Sequence, residues 1–259
     1  MLSYQHGYHA GNLADVHKHA LLAWMLDYMT AKPKPMSYLE THAGRGLYDL
    51  GSVEARKTGE AAQGIARAEH WFAVDHPYRR ALSAVRTRQG AQAYPGSPVL
   101  AGELLRFEDS LTLAELHPQE SAALRDAVAP YPAVVVARDG WAEALSRTPP
   151  EPRRGLLLCD PSYEVKEDYR TIPDIVAKLH RRWGVGVLVL WYPILTDGRH
   201  APMLRDLERA LPDGWRHEVR FPPAREGHGM VGSGLFVVNP PYGIEAEAKA
   251  LARRFAELR

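Results

Sequence analysis

Seven candidate strands, most of them short apolar runs, punctuate the chain, at residues 36–41, 111–116, 133–137, 155–160, 186–191, 215–221 and 234–239. Between them, residues 172–183 and 200–211 repeat their apolar positions with helical spacing. Strands alternating with helices predict an α/β fold built on a parallel sheet with crossover helices. Near the start, residues 13–29 predict a further helix. Asn12 is its cap, with Asp15 three positions on, and Val16, Ala20, Trp24 and Tyr28 form its buried stripe. Residues 50–93 break the alternation: they are Arg- and Ala-rich and polar, and read as a helical insertion after the first strand. The proline-rich stretch 148–154 is a rigid connector into the fourth strand.

The ends of the strands carry the chemistry. The first runs into Glu40-Thr41-His42-Ala43-Gly44-Arg45-Gly46, a strand-to-glycine turn where Rossmann-like folds seat a nucleotide. The second ends at Glu115, where such folds hold ribose hydroxyls, the third at Asp139-Gly140 and the fourth at Asp160-Pro161-Ser162-Tyr163. Four consecutive strands that each finish in an acid or a glycine predict a ligand site at that edge of the sheet. Asp160-Pro161-x-Tyr163 sets a carboxylate, a bare carbonyl and a flat ring side by side, the set needed to methylate an exocyclic amine. The N6 of adenine is a poor nucleophile because its lone pair is delocalised. Hydrogen bonds accepted by Asp160 and by the Pro161 carbonyl re-aim that lone pair, and Tyr163 can stack on the base. An ordinary Asp-Pro turn after a strand is the competing reading of these four residues.

Composition narrows the classes. The chain has 259 residues, 46% of them hydrophobic and 24% charged, which is enough for one large core. It has no apolar run of membrane-spanning length, and a polar start unlike a signal peptide predicts a cytoplasmic protein. The single cysteine, Cys159, excludes an internal disulfide and a cysteine-rich zinc site, and its alternation with Asp160 assigns it to packing. Since 32 Lys+Arg balance 31 Asp+Glu, any surface for nucleic acid must be local, and Arg79, Arg80, Arg86 and Arg88 crowd the insertion. The N-terminal segment, rich in histidine, has no metal spacing. Lys18 and His19 in the first turns of a helix oppose its dipole, which predicts an anion beside them, either a carboxylate of the cofactor or an RNA phosphate.

Tyr4-x-His6-x-x-His9-Ala10-Gly11-Asn12-x-Ala14-Asp15-x-x-Lys18-His19, Thr41-His42-Ala43-Gly44 and Tyr94-Pro95-Gly96-Ser97-Pro98 resemble the RlmJ family of 23S ribosomal RNA adenine-N6 methyltransferases. Asp139-Gly140, Asp160-Pro161-x-Tyr163-Glu164, Trp191-Tyr192-Pro193 and Gly232-Ser233-Gly234 extend the match in order along nearly the whole chain. The resemblance implies a monomeric class I, Rossmann-like methyltransferase with a seven-stranded sheet. Residues 1–49 and 94–259 would form the methyltransferase domain and residues 50–93 an inserted helical subdomain. The enzyme would use S-adenosylmethionine and no metal to methylate adenine-2030 of 23S rRNA, free of protein or early in assembly, by direct in-line transfer to a flipped base.

By the same resemblance His19, His42, Ser97, Glu115, Asp139, Gly140 and Asp160 contact the cofactor, and Asp160 is the catalytic residue. Tyr4, His6, Lys18, Pro161 and Tyr163 meet the substrate. Ser162 departs from the family, which usually has a second proline there. Asn239-Pro240-Pro241-Tyr242 matches the amino-methyltransferase motif better by letter. In the implied topology, however, the seventh strand is antiparallel and delivers Asn239 to the wrong edge. The loop 222–233, with Arg225 and His228, would lie at the active edge. A DNA adenine methyltransferase shares Asp-Pro-x-Tyr but usually carries a larger recognition domain. A nicotinamide dehydrogenase would want a third glycine and an acid some twenty residues later, and neither is present. A decayed RNA-binding relative, with Ser162 as the lesion, is the third alternative.

Overall fold

In the computed structural model, which describes residues 6–225, 227 and 229–258, regular structure begins with α1 (Leu13–Thr30) and β1 (Ser37–Glu40). Then come β2 (Leu47–Asp49), α2 (Val53–Thr58), α3 (Glu60–Gln63), α4 (Ile65–Ala68), α5 (Pro77–Gln89) and β3 (Ala93–Pro95). The middle of the chain forms α6 (Ser97–Leu104), β4 (Ser110–Ala114), α7 (Pro118–Val128), β5 (Ala133–Val136), α8 (Gly140–Arg147) and β6 (Gly155–Cys159). Last are α9 (Asp168–Arg182), β7 (Val187–Leu195), α10 (His200–Ala210), β8 (Trp215–Arg220), β9 (Met230–Val238) and α11 (Ile244–Ala256).

Each of the seven candidate strands becomes a strand of one sheet, in the order β5-β4-β1-β6-β7-β9-β8. β5, β4, β1, β6 and β7 pair in parallel, whereas β9 runs antiparallel to both of its neighbours. Every residue of β1 and β6 is buried, as expected of parallel strands covered on both faces. The order turns back at β1, so the carboxyl ends of β1, β4, β5 and β6 open on one crevice. This strand order with an antiparallel seventh strand is the class I methyltransferase fold. Asn239, at the end of β9, lies at the opposite edge, because Val238 pairs with Leu188 at the start of β7. Its amide donates to the carbonyls of Gly184 and Gly186 at 3.0 and 2.8 Å.

Four elements differ from the reading of the apolar pattern, β7 and β9 together, α9 and α1. β9 starts at Met230, not at residue 234, because β7 continues to Leu195 and pairs with the extra residues, with a register shift between Ile194 and Leu195. α9 starts four residues before the expected boundary. α1 is the larger departure, since its burial is not confined to a stripe. Asn12 caps it as expected, its side chain accepting from Asp15 N at 2.9 Å, and Val16 and Ala20 are fully buried. Trp24 and Tyr28 are only half-buried and stack on each other, while Asp15, His17, Lys18 and His19 lie inside. The cause is tertiary: α5, α6, α11 and β9 surround the helix.

β2 and β3 form an antiparallel ribbon, and the chain between them is mostly helical. Ile65, Phe72, Tyr78, Leu82 and Val85 from this stretch join the same hydrophobic cluster as Tyr38, Leu156 and Leu158 of the sheet. No helix among the described residues is long and apolar enough to cross a membrane.

Candidate active site

Every described residue singled out as a site candidate borders one cavity of about 620 Å³ at the carboxyl edge of the sheet. Tyr4 lies outside the described residues. The volume falls within the range of small-molecule sites, and the walls suit a nucleoside. Gly44 adopts φ +63°, a backbone that favours glycine, and its N–H donates to Glu115 Oε2 at 2.8 Å. Glu115 Oε1 accepts from His117 N at 2.7 Å, which fixes the carboxylate while leaving each oxygen a further lone pair. Asp139 caps α8, its side chain accepting from Ala142 N at 2.8 Å. Gly140 is obligatory there, since a Cβ at that position would meet the Thr41 carbonyl oxygen at 1.8 Å. The close approach of β1 and α8 thus depends on the missing side chain. His42, edge-on to Trp141, is brought down to about 4 by burial, against the pull of Asp160 and Asp139, so the ring is neutral.

Alternation along β6 sends Leu156 and Leu158 toward the α1 layer and Leu157 and Cys159 toward the α9–α10 layer. Asp160 follows Leu158 and therefore meets α1. Lys18 Nζ donates to Asp160 Oδ2 at 2.5 Å and lies 3.2 Å from Asp15 Oδ1. Burial works against the Lys18 ammonium, but the charges of Asp160 and Asp15 outweigh it and raise its pKa above the ordinary lysine value. Asp15 in turn accepts from Gly11 N and from His6 Nε2, each at 2.9 Å. Despite burial it is held well below the usual carboxylate range by His6, Lys18 and His19.

The anion expected beside Lys18 is therefore the protein's own. Lys18, expected to meet the substrate, is almost fully buried, pairs with Asp160 and Asp15, and borders the cavity. His19 is no cation. Burial, with Lys18 and His6 nearby, lowers it to about 3, and its Nδ1 shares a 2.9 Å hydrogen bond with the Tyr94 hydroxyl.

Tyr163 has φ +57°, donates its hydroxyl to the Trp191 carbonyl at 2.7 Å and packs against Tyr169. Its ring is rigid and largely buried, and it touches the cavity beside Pro161 and Ser162. Cys159 is buried on the far face, where burial pushes its thiol well above the normal range, in keeping with a packing role.

Glu40 escaped the reading of the strand ends as anything beyond part of the turn. It is buried and accepts from Tyr38 OH at 2.8 Å and from Ser97 Oγ at 2.5 Å, so Ser97 reaches the cavity with its hydroxyl committed. Burial pushes Glu40 up to about 8, against those two donors. An acid in the last position of a wholly buried strand was the available signal. A folded pKa above the unfolded one means stability is fully present below the unfolded carboxylate value and is lost as pH rises through about 8. Glu40→Gln should therefore lose less stability than wild type between pH 5 and pH 8. Urea unfolding at both pH values measures the difference, expected to be on the order of a few kcal/mol.

The strand order and the cavity at the carboxyl edge of the sheet are those of the methyltransferase class. The family model described as "Ribosomal RNA large subunit methyltransferase D, RlmJ" matches residues 33–257, and the chain belongs to that family. It is 39% identical over 254 residues to the Ribosomal RNA large subunit methyltransferase J of Escherichia coli K12, covering 95% of this chain and 90% of that protein. The protein of the same description in Haemophilus influenzae is 36% identical, covering 97% and 92%. A crystal structure of a Legionella pneumophila protein superposes with a TM-score of 0.84 at 34% identity, covering 96% of this chain and 94% of that one.

Proposed function

We propose that this large-subunit ribosomal RNA methyltransferase transfers a methyl group from S-adenosylmethionine to N6 of one adenine of 23S rRNA, adenine-2030 by its family resemblance. The observation that carries the reading is the placement of Asp160 and Pro161. They lie at the end of β6, on a cavity whose other walls are the Gly44 turn, Glu115 and Asp139-Gly140. When bound, S-adenosylmethionine supplies an electrophilic methyl on a sulfonium. Glu115 is placed for its ribose hydroxyls, Asp139 and Gly140 for its base, and His19, His42 and Ser97 line the remaining wall.

Lys18 holds Asp160 Oδ2, which leaves Oδ1 for one N–H of the target amine. The Pro161 carbonyl accepts the other. Both acceptors favour a pyramidal nitrogen and stabilise the positive charge that develops on it during attack. The target base must be flipped to reach this depth, and the fixed ring of Tyr163 replaces part of the lost stacking, worth ~1–3 kcal/mol. His6, bound to Asp15, sits at the mouth with Tyr4 preceding it in the chain, and both serve substrate placement. The departure at Ser162 removes neither acceptor. We assign the working unit as a cytoplasmic monomer acting on RNA free of protein or early in assembly.

Transfer of tritiated methyl to unmodified 23S rRNA, followed by nucleoside analysis, tests the reading. Label in N6-methyladenosine from a single site is the expected result. Label in another nucleoside, or in duplex DNA alone, would overturn it. Absence of transfer despite cofactor binding would favour the decayed relative.

A further inference from the structure

The arginines that crowd the insertion do not form a free basic face. Arg79 and Arg86 both pair with Glu69, Arg80 with Asp27 and Arg88 with Glu103. Arg56 and Lys57 on α2 and Arg225 in the loop after β8 differ, since they are exposed and make no ion pair among the described residues. We propose that these three cations, on a rim around the mouth of the cavity, contact the phosphates of the RNA substrate. The proposal rests on the reading that the substrate is RNA.

Contacts on every side tie this rim to the site. Thr58 Oγ1 donates to the Tyr8 carbonyl at 2.5 Å, and Lys57 Nζ lies 6.0 Å from the centre of the Tyr8 ring. Asn12 Nδ2 donates to Glu60 Oε2 at 3.0 Å, which turns that acid inward. Gln63 donates to the Ala224 carbonyl at 3.4 Å, so α3 meets the loop that carries Arg225. Asn12 and Met230 border both the main cavity and the small cleft formed with Gln63 and Ala224. Glu54 is the one exposed acid of α2, beside the two cations Arg56 and Lys57, on a chain of net charge +1. Such a face is what a near-neutral protein needs to hold a polyanion, because phosphate contacts set register and orientation while the pocket reads the base. Tyr8 shares its 3₁₀ turn, His6–Tyr8, with the histidine bound to Asp15, so a strand held by Lys57 lies over the entrance to Asp160.

The test compares Arg56→Gln/Lys57→Gln/Arg225→Gln with Arg80→Gln/Arg88→Gln as folded full-length proteins, each binding a 23S rRNA fragment across a salt series. The triple variant should bind about 10-fold or more weakly, and its log–log salt slope should flatten by about two, since each neutralised phosphate contributes roughly 0.7–0.9. S-adenosylmethionine affinity should stay at the wild-type value. The double variant should keep the wild-type slope. Replacing the three rim cations by glutamate should weaken binding further. An unchanged slope in the triple variant, or a flattened slope in the double variant alone, overturns the rim while leaving the RNA reading intact. A wild-type protein that binds no RNA overturns both.

Discussion

Asp160→Ala is expected to reduce single-turnover methyl transfer by on the order of 10²–10³, the typical loss when one preorganised hydrogen-bonding group at a developing charge is removed. The substitution takes away an acceptor for the target amine and also the group that Lys18 holds in place at 2.5 Å. Asn239→Ala is the matched comparison. Its side chain binds the carbonyls of Gly184 and Gly186 at the other edge of the sheet, so transfer should persist. Measuring both with saturating cofactor and RNA decides the assignment. A dead Asn239 variant beside an active Asp160 variant would place the chemistry at the wrong edge.

Lys18→Met should act on stability and rate together. Removing the ammonium leaves Asp15 and Asp160 without their shared cation, and breaking a buried pair in this way costs about 3–5 kcal/mol. The pH dependence carries the sign. In wild type Asp15 is depressed, so its contribution is present above the unfolded carboxylate pKa and is lost as pH falls through the lower folded value. Without Lys18 that depression weakens, and protonation relieves the uncompensated charge. The stability gap between variant and wild type should therefore narrow on acidification below about pH 5. Methyl transfer should fall by about 10², because Asp160 Oδ2 is no longer pinned and misplacement on the ångström scale costs that much. Denaturant melts at a series of pH values, with single-turnover rates beside them, check both limbs. A gap independent of pH would mean that Lys18 contributes packing and not charge.

The sheet was legible because its central parallel strands, buried on both faces, read as bare apolar runs, and all seven candidate strands paired. The strand ends were legible for a related reason: an acid closing such a run has no packing role. α1 was misjudged because periodicity measures one face, while four elements placed far away in the chain cover the others. Asp15 lies three positions from Lys18, but the other partner, Asp160, is 142 positions distant and could not be found from the local sequence, so a cation at the start of a helix looked as though it awaited a ligand. Glu40 was hidden by similar logic, since its donors Tyr38 and Ser97 have no spacing that marks them as a set. The paired state of the insertion arginines was equally invisible, because composition counts charges without showing which are already engaged. Arg88 finds Glu103 and Arg80 finds Asp27 only once α5 is packed.

α1 also meets β9, the last strand of the described residues. His17 hydrogen-bonds Ser233 of β9 at 2.9 Å across 216 positions and His217 of β8 at 2.9 Å across 200, and α11 packs on the same helix. Lys18, the next residue, grips Asp160. In chain order Asp160 therefore precedes β8 and β9, the strands that hold the residue next to Lys18 in place. Loop closure over so many residues is slow and entropically costly. The seating of Lys18 against Asp160 is thus coupled to the packing of β8, β9 and α11 on α1.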